Sequence, residues 1–176
     1  CPGPLTITMH IRPREGYKSR LDLAWEFADV INKELKELVD QGADYIQLDE
    51  PSFAIIPGEL AEWVKLYNTT VDGVNAKIAL HVCFGNLSSR PRGKRNYDWM
   101  FPALLDTRSD QLVFEFANRE MKESKLWGEV GDDREFGAGV IDVKSFYVEQ
   151  PEDVAERVRE MLTVVEPNKL YISPDC

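Results

Sequence analysis

Short apolar, β-branched runs alternate along this chain with longer stretches whose apolar residues recur every three or four positions. The runs occupy residues 5–9, 45–50, 77–83, 111–116, 139–143 and 170–173, and each has the length and composition of a strand. Between them the spacing predicts helices. One opens at Ser19, with Asp22 three residues on as a capping box, buries Leu21, Ala24, Ala28, Ile31 and Leu35, and stops at Gly42. A second starts at Pro57-Gly58 and runs through Leu60, Trp63, Val64 and Tyr67. Short helices are expected over 99–105 and 120–126. The clearest begins at Pro151, with Glu152 and Asp153 in its first turn and Val154, Val158 and Met161 on its apolar face. Strand-helix alternation implies parallel strands joined by right-handed crossovers, either an open doubly wound sheet or a (β/α) barrel.

The strand ends separate these two. Asp49 and Glu50, His81 and Cys83, Glu115, Asp142 and Lys144, and Asp175 and Cys176 stand at the C-terminal ends of five different runs. A barrel enzyme gathers its chemistry in that way on its top face, whereas a doubly wound sheet concentrates it at one switch point. There is no Gly-x-Gly-x-x-Gly and no Gly-Lys-Ser/Thr loop to cradle a nucleotide. The expected fold class is therefore α/β, a (β/α)8 TIM barrel, present as a partial barrel of about six strand-helix units.

With 176 residues, 43% of them hydrophobic, the chain can bury a core as a single domain. A formal net charge of -10 argues against nucleic acid or an anionic membrane as partner. The basic run Arg90-Pro91-Arg92-Gly93-Lys94-Arg95 reads first as a solvated loop, with contact to an anionic substrate tail as the alternative. No stretch approaches the roughly 20 apolar residues of a membrane span. Three cysteines are too few for a disulfide scaffold and point to a reducing, cytoplasmic setting.

Along a strand, side chains two apart share a face, so His81 and Cys83 look the same way and Val82 looks the other. Each residue has a bland reading by itself: His81 a satisfied histidine, Cys83 a small hydrophobe, Asp49-Glu50-Pro51 a turn, Asp175 a cap. Together His81, Cys83, Glu115 and Cys176 supply one nitrogen, two sulfurs and one oxygen, a borderline-soft set suited to four-coordinate zinc.

At these residues the chain resembles the catalytic barrel of the cobalamin-independent methionine synthase family, in the superfamily that includes uroporphyrinogen decarboxylase. The matching segments are Gly3-Pro4-Leu5-Thr6, Ile46-Gln47-Leu48-Asp49-Glu50-Pro51, His81-Val82-Cys83, Phe114-Glu115, Gly139-Val140-Ile141-Asp142 and Pro174-Asp175-Cys176. The resemblance implies that His81, Cys83, Glu115 and Cys176 bind Zn2+. It also implies that Asp49 holds the amino group of homocysteine, with Glu50 beside it on the substrate side. It further implies a segment of a longer barrel, lacking the first strands and the last helix and poorly stable alone. One position departs from the family: Lys144 stands where the methionine synthases carry a His two residues after the Asp. Short single-barrel relatives share that pattern.

The implied activity is zinc-dependent transfer of a methyl group to the homocysteine thiol, forming methionine. The donor would be a methylated folate, with Asp142 or Lys144 placing it or handling its leaving group. Glu115, the hardest ligand of the set, is the one expected to give way to substrate sulfur. Transfer to another thiol such as coenzyme M is the second reading. A non-catalytic site with zinc closed by four protein ligands is the third.

Overall fold

A computed structural model describes residues 1–56, 58–86, 90 and 95–176. Five strands, β1 Tyr45–Asp49, β2 Lys77–Val82, β3 Gln111–Glu115, β4 Glu135–Ile141 and β5 Leu170–Pro174, pair in parallel in the order β1-β2-β3-β4-β5. Spatial order repeats chain order, so among the described residues the sheet has no reversal point of the kind a doubly wound sheet needs. No described helix is long and apolar enough to cross a membrane.

Alternation along each strand divides the sheet into two unlike faces. Ile46, Leu48, Ile78, Leu80, Val82, Leu112, Phe114, Phe136, Ala138 and Val140 enter one hydrophobic core with the helices. Burying each large side chain there contributes on the order of 2 kcal/mol. Residues pointing the other way are small or polar, and the register aligns them in rows: Gln47, Ala79, Gln111 and Glu135, then Asp49, His81, Val113, Gly137 and Tyr171. Near the strand starts this face is tied by polar side chains. Tyr45 donates to Gln111 (2.6 Å), Lys77 pairs with Glu135, and the Lys77 ammonium donates to the Tyr171 hydroxyl (3.0 Å).

Helices α1 Pro4–Ile7, α2 Arg20–Asp40, α3 Ser52–Ile55, α4 Leu60–Thr70, α5 Leu126–Val130 and α6 Pro151–Met161 complete the layer over the apolar face. The predicted capping box of α2 is formed: Asp22 N–H donates to Ser19 Oγ (3.1 Å) and Ser19 N–H to Asp22 Oδ2 (2.9 Å). Its predicted face is buried at Ala24, Ala28, Ile31 and Leu35. Pro151 opens α6 as expected, with Gln150 and Asp153 forming the box.

Three expectations are corrected. Residues 5–9 are not a strand, and the described sheet holds five strands instead of six. Pro4 sits at the first helical position and the carboxylate of Glu50 accepts the N–H groups of Leu5 and Thr6 (3.0 Å each), supplying the cap that Gly3 lacks, so the segment turns into α1. In place of one helix over 99–105 there are two 3-10 turns, Asp98–Met100 and Ala103–Asp106, divided at Pro102, which has no N–H to continue a helix. The helix expected over 120–126 is displaced to a 3-10 turn at Ala117–Arg119 and to α5, because Glu120, Met121 and Glu123 adopt positive φ. The predicted start at Pro57 and most of the basic loop (91–94) lie outside the described residues. Arg95, at the end of that loop, is exposed and donates to Asn118 Oδ1 (3.1 Å).

Candidate metal centre

On the polar face, at the C-terminal ends of β1, β2 and β5, lies a pocket of about 330 Å³. Gln47, Asp49, His81, Cys83, Asp175 and Cys176 line it around Val113. It lies at the small end of ligand pockets, suited to an amino-acid-sized molecule.

Strand β2 delivers His81 as its penultimate residue and Cys83 one step past its end, while Cys176 arrives two residues after β5. Ligand atoms of these three side chains lie within 4.8 Å of one another. Two strands distant in sequence thus meet at one point, which the sequence spacing alone did not require. Cys176 is the thiol held down: a hydrogen bond from Cys83 lowers its pKa most, His81 and the charge of Lys144 add to that, and burial opposes them. Cys83 is raised by the same contact with Cys176 and by burial.

Glu115, the last residue of β3, is fully buried, and its Oε2 accepts from the Lys144 ammonium at 2.6 Å. The Lys144 side chain is itself only 6% exposed. Glu115 Oε1 and His81 Nδ1 are buried atoms with no hydrogen-bond partner among the described residues. Buried polar atoms are rarely left so. An open imidazole nitrogen, an open carboxylate oxygen and two thiols fit a zinc ion by donor type, two sulfurs with one nitrogen and one oxygen. The cluster is drawn from β2 and the end of β5, and Glu115 ends β3, which pairs with β2, but Glu115 is not within the cluster itself.

Two side chains fix these strand ends. Tyr97, entirely buried, accepts the Glu115 N–H (3.0 Å) and donates to Val82 O (3.1 Å), bridging the ends of β2 and β3. Burial holds its phenol well above the usual range. Asp175 takes four donors: the N–H groups of Phe116 (3.0 Å), Ala117 (3.3 Å) and Asn118 (2.6 Å), and Asn118 Nδ2 (2.7 Å). It thereby ties Cys176 to the turn that follows Glu115. Gly139 makes room for this carboxylate, since a Cβ there would overlap it. Asp175 as a cap was foreseeable from Pro174-Asp175; Tyr97 carried no sequence signal.

The remaining predicted residues fall in distinct places. Asp49 lines the pocket in register with His81, and its Oδ1 accepts from Gln47 Nε2 (2.8 Å). Glu50 is not on the pocket wall. It is fully buried, and its carboxylate is filled by Leu5, Thr6 and the Thr6 hydroxyl (2.6 Å). Asp142 Oδ1 accepts the backbone N–H of Lys144 (2.8 Å), and the Asp142 N–H donates to Glu149 (2.7 Å). Asp142 thus shapes the loop after β4 and is not a lining residue. Lys144 reaches inward from that loop, and its ammonium pairs with Glu115 Oε2.

A family model described as "Cobalamin-independent synthase, Catalytic domain" matches residues 1–176. A methionine synthase of Saccharolobus islandicus (strain Y.G.57.14 / Yellowstone #1) is 38% identical over 174 residues, 99% of this chain and 49% of the relative. That of Sulfurisphaera tokodaii is 36% identical over 99% of this chain and 48% of its own length. The chain spans about half the length of the curated relatives it matches. Among solved structures, a B12-independent methionine synthase from Shewanella sp. W3-18-1 in complex with selenomethionine superposes with a TM-score of 0.83 at 32% identity, over 99% of this chain and 53% of that one. A further match, a vitamin-B12-independent methionine synthase of Listeria monocytogenes at 21% identity and TM-score 0.62, shares the fold. With its entire described sheet and pocket inside the matched span, this chain belongs to the cobalamin-independent synthase catalytic-domain family.

Proposed function

We propose that this chain carries the thiol-activating site of a methionine synthase-like enzyme, which transfers a methyl group from a methylated folate to homocysteine. The observation that carries the reading is the meeting of His81, Cys83 and Cys176 within 4.8 Å in a pocket that also presents Asp49. In this reading the five-stranded sheet is part of a (β/α)8 barrel, and the polar face is its interior.

His81, Cys83, Cys176 and the open oxygen of Glu115 would hold a zinc ion. When bound, zinc would lower the pKa of an incoming thiol from about 8.5, so that sulfur is present as thiolate near neutral pH. The protein's own groups do the rest. Asp49, fixed by Gln47, offers an oxygen to the ammonium group of the amino acid and so aims its side chain along the row toward His81. The same carboxylate would repel the sulfonate of coenzyme M, which favours homocysteine over that acceptor. Asp142, by holding the backbone of the loop after β4, positions the segment over which the methyl donor would lie. Proximity of donor carbon and acceptor sulfur then supplies much of the rate.

Replacing Cys83 with Ser in the full-length protein should remove both bound zinc and methyl transfer, measured by metal analysis and by methionine formation. Transfer retained by the metal-free variant would refute the scheme.

A further inference from the structure

Lys144 stands out because the mechanism above leaves its charge without a task. Its ammonium lies 2.6 Å from Glu115 Oε2, and both side chains are withdrawn from solvent, 6% and 0% exposed. The second oxygen of the same carboxylate is buried and has no hydrogen-bond partner among the described residues. Glu115 is therefore divided: one oxygen is committed to a cation within the protein, and the other has no protein partner among the described residues, at the end of the strand that pairs with the one carrying His81.

We infer that Lys144 is a positioning residue that makes Glu115 a displaceable ligand, drawing charge from the carboxylate and receiving it when substrate thiol enters. The inference rests on the zinc-thiol reading above and adds to it a second anchorage for the leaving ligand.

Two physical reasons support this role. A carboxylate shared with an ammonium donates less to a metal than a free one, so Lys144 weakens the hold of the ligand that is already the hardest of the four. A buried carboxylate that simply left a metal would be an uncompensated charge, which costs several kcal/mol. With Lys144 in place it goes from a shared position to a complete ion pair. The exchange would balance: with zinc bound, Glu115 oxygen would give up its place to the substrate sulfur and remain paired with Lys144, and the thiol proton would pass to solvent. No electron changes hands. Formal charge follows the same course, because two thiolates and a carboxylate around Zn2+ leave an excess of one negative charge that Lys144 cancels.

The test uses the zinc-loaded full-length protein and homocysteine as probe, with Lys144→Met and Lys144→Gln as neutral variants and Lys144→Arg as the conservative one. Chelator competition reads zinc affinity, calorimetric titration reads homocysteine affinity, and X-ray absorption counts sulfur ligands. In the unmodified protein homocysteine should raise the sulfur count from two to three. In either neutral variant zinc should be held about tenfold more tightly and homocysteine bound about tenfold more weakly, the scale on which partners of metal ligands act. Lys144→Arg should restore homocysteine binding. A merely structural lysine would instead weaken both affinities together, which overturns the inference. Unchanged homocysteine affinity in a neutral variant that folds and holds zinc overturns it as well. Failure of the unmodified protein to bind zinc, or to gain a third sulfur, would overturn the zinc-thiol reading, and the inference with it.

Discussion

Glu50 and Glu115 are the same residue type near the C-terminal ends of parallel strands, Glu50 one residue past β1 and Glu115 the last of β3, and each is fully buried. Their surroundings differ in kind. Three donors from one segment, the N–H groups of Leu5 and Thr6 and the Thr6 hydroxyl, fill Glu50. Glu115 meets one side-chain cation, Lys144, and keeps an oxygen without a partner among the described residues. A carboxylate saturated by backbone groups holds architecture together, whereas one with an exchangeable partner and a spare lone pair can do chemistry. Residue type and burial are shared, whereas the face of the sheet and the partners differ.

The sharpest break between the two comes from removing each charge. Glu115→Gln should lower methyl transfer by about a hundredfold or more, as loss of a metal ligand or its close partner does, read by steady-state methionine formation. It should also cost folding stability by about 3 kcal/mol in urea unfolding, because Lys144 is left buried without its counter-charge. Adding Lys144→Met to Glu115→Gln should return most of that stability and none of the transfer.

Glu50→Ala should cost about 4 kcal/mol in the same unfolding measurement, since it strands the buried donors of α1 and opens a cavity. Zinc bound per folded chain should stay unchanged. No single second substitution should rescue it, because two of its three partners are backbone. If zinc is lost in step with Glu50, the division between architecture and chemistry fails.

A smaller effect follows from pH. Burial outweighs the three donors and raises Glu50 to about 7, above its ordinary 4.5. An acid with a raised folded-state pKa binds its proton more tightly when folded, so its contribution is fully present below about pH 4.5 and is lost as pH rises through about 7. Urea unfolding between those limits should show a loss of about 3 kcal/mol attributable to this group. Glu50→Gln should flatten that slope, and a slope unchanged in Glu50→Gln would assign it elsewhere.

How far these features could be read from the sequence depended on range. The capping box of α2, the start of α6 and five strands rest on contacts within a few residues, where spacing is informative. So was the face shared by His81 and Cys83. The alternating run at residues 5–9 suits a strand and a short helix alike, and the deciding partner, Glu50, lies some 45 positions away in sequence. Glu50 is ambiguous for the same reason: Asp49-Glu50-Pro51 shows the motif and not which way each carboxylate is turned. The link from Lys144 to Glu115 crosses 29 positions and has no local signature. Tyr97, which binds two strand ends at once, was invisible on the same grounds.

The sequential strand order has a consequence for how the ligands are assembled. A metal held by His81 and Cys176 closes a loop that takes in more than half of the chain, yet closure entropy grows only slowly with loop length, by about 0.6 kcal/mol per doubling. The sheet and the grip of Asp175 on the turn after β3 have already met that entropic cost before any ion arrives. The ion would then act as a clasp on an almost closed ring, and the strand it secures most is β5, which has one described neighbour in the sheet and leaves Ile172 57% exposed.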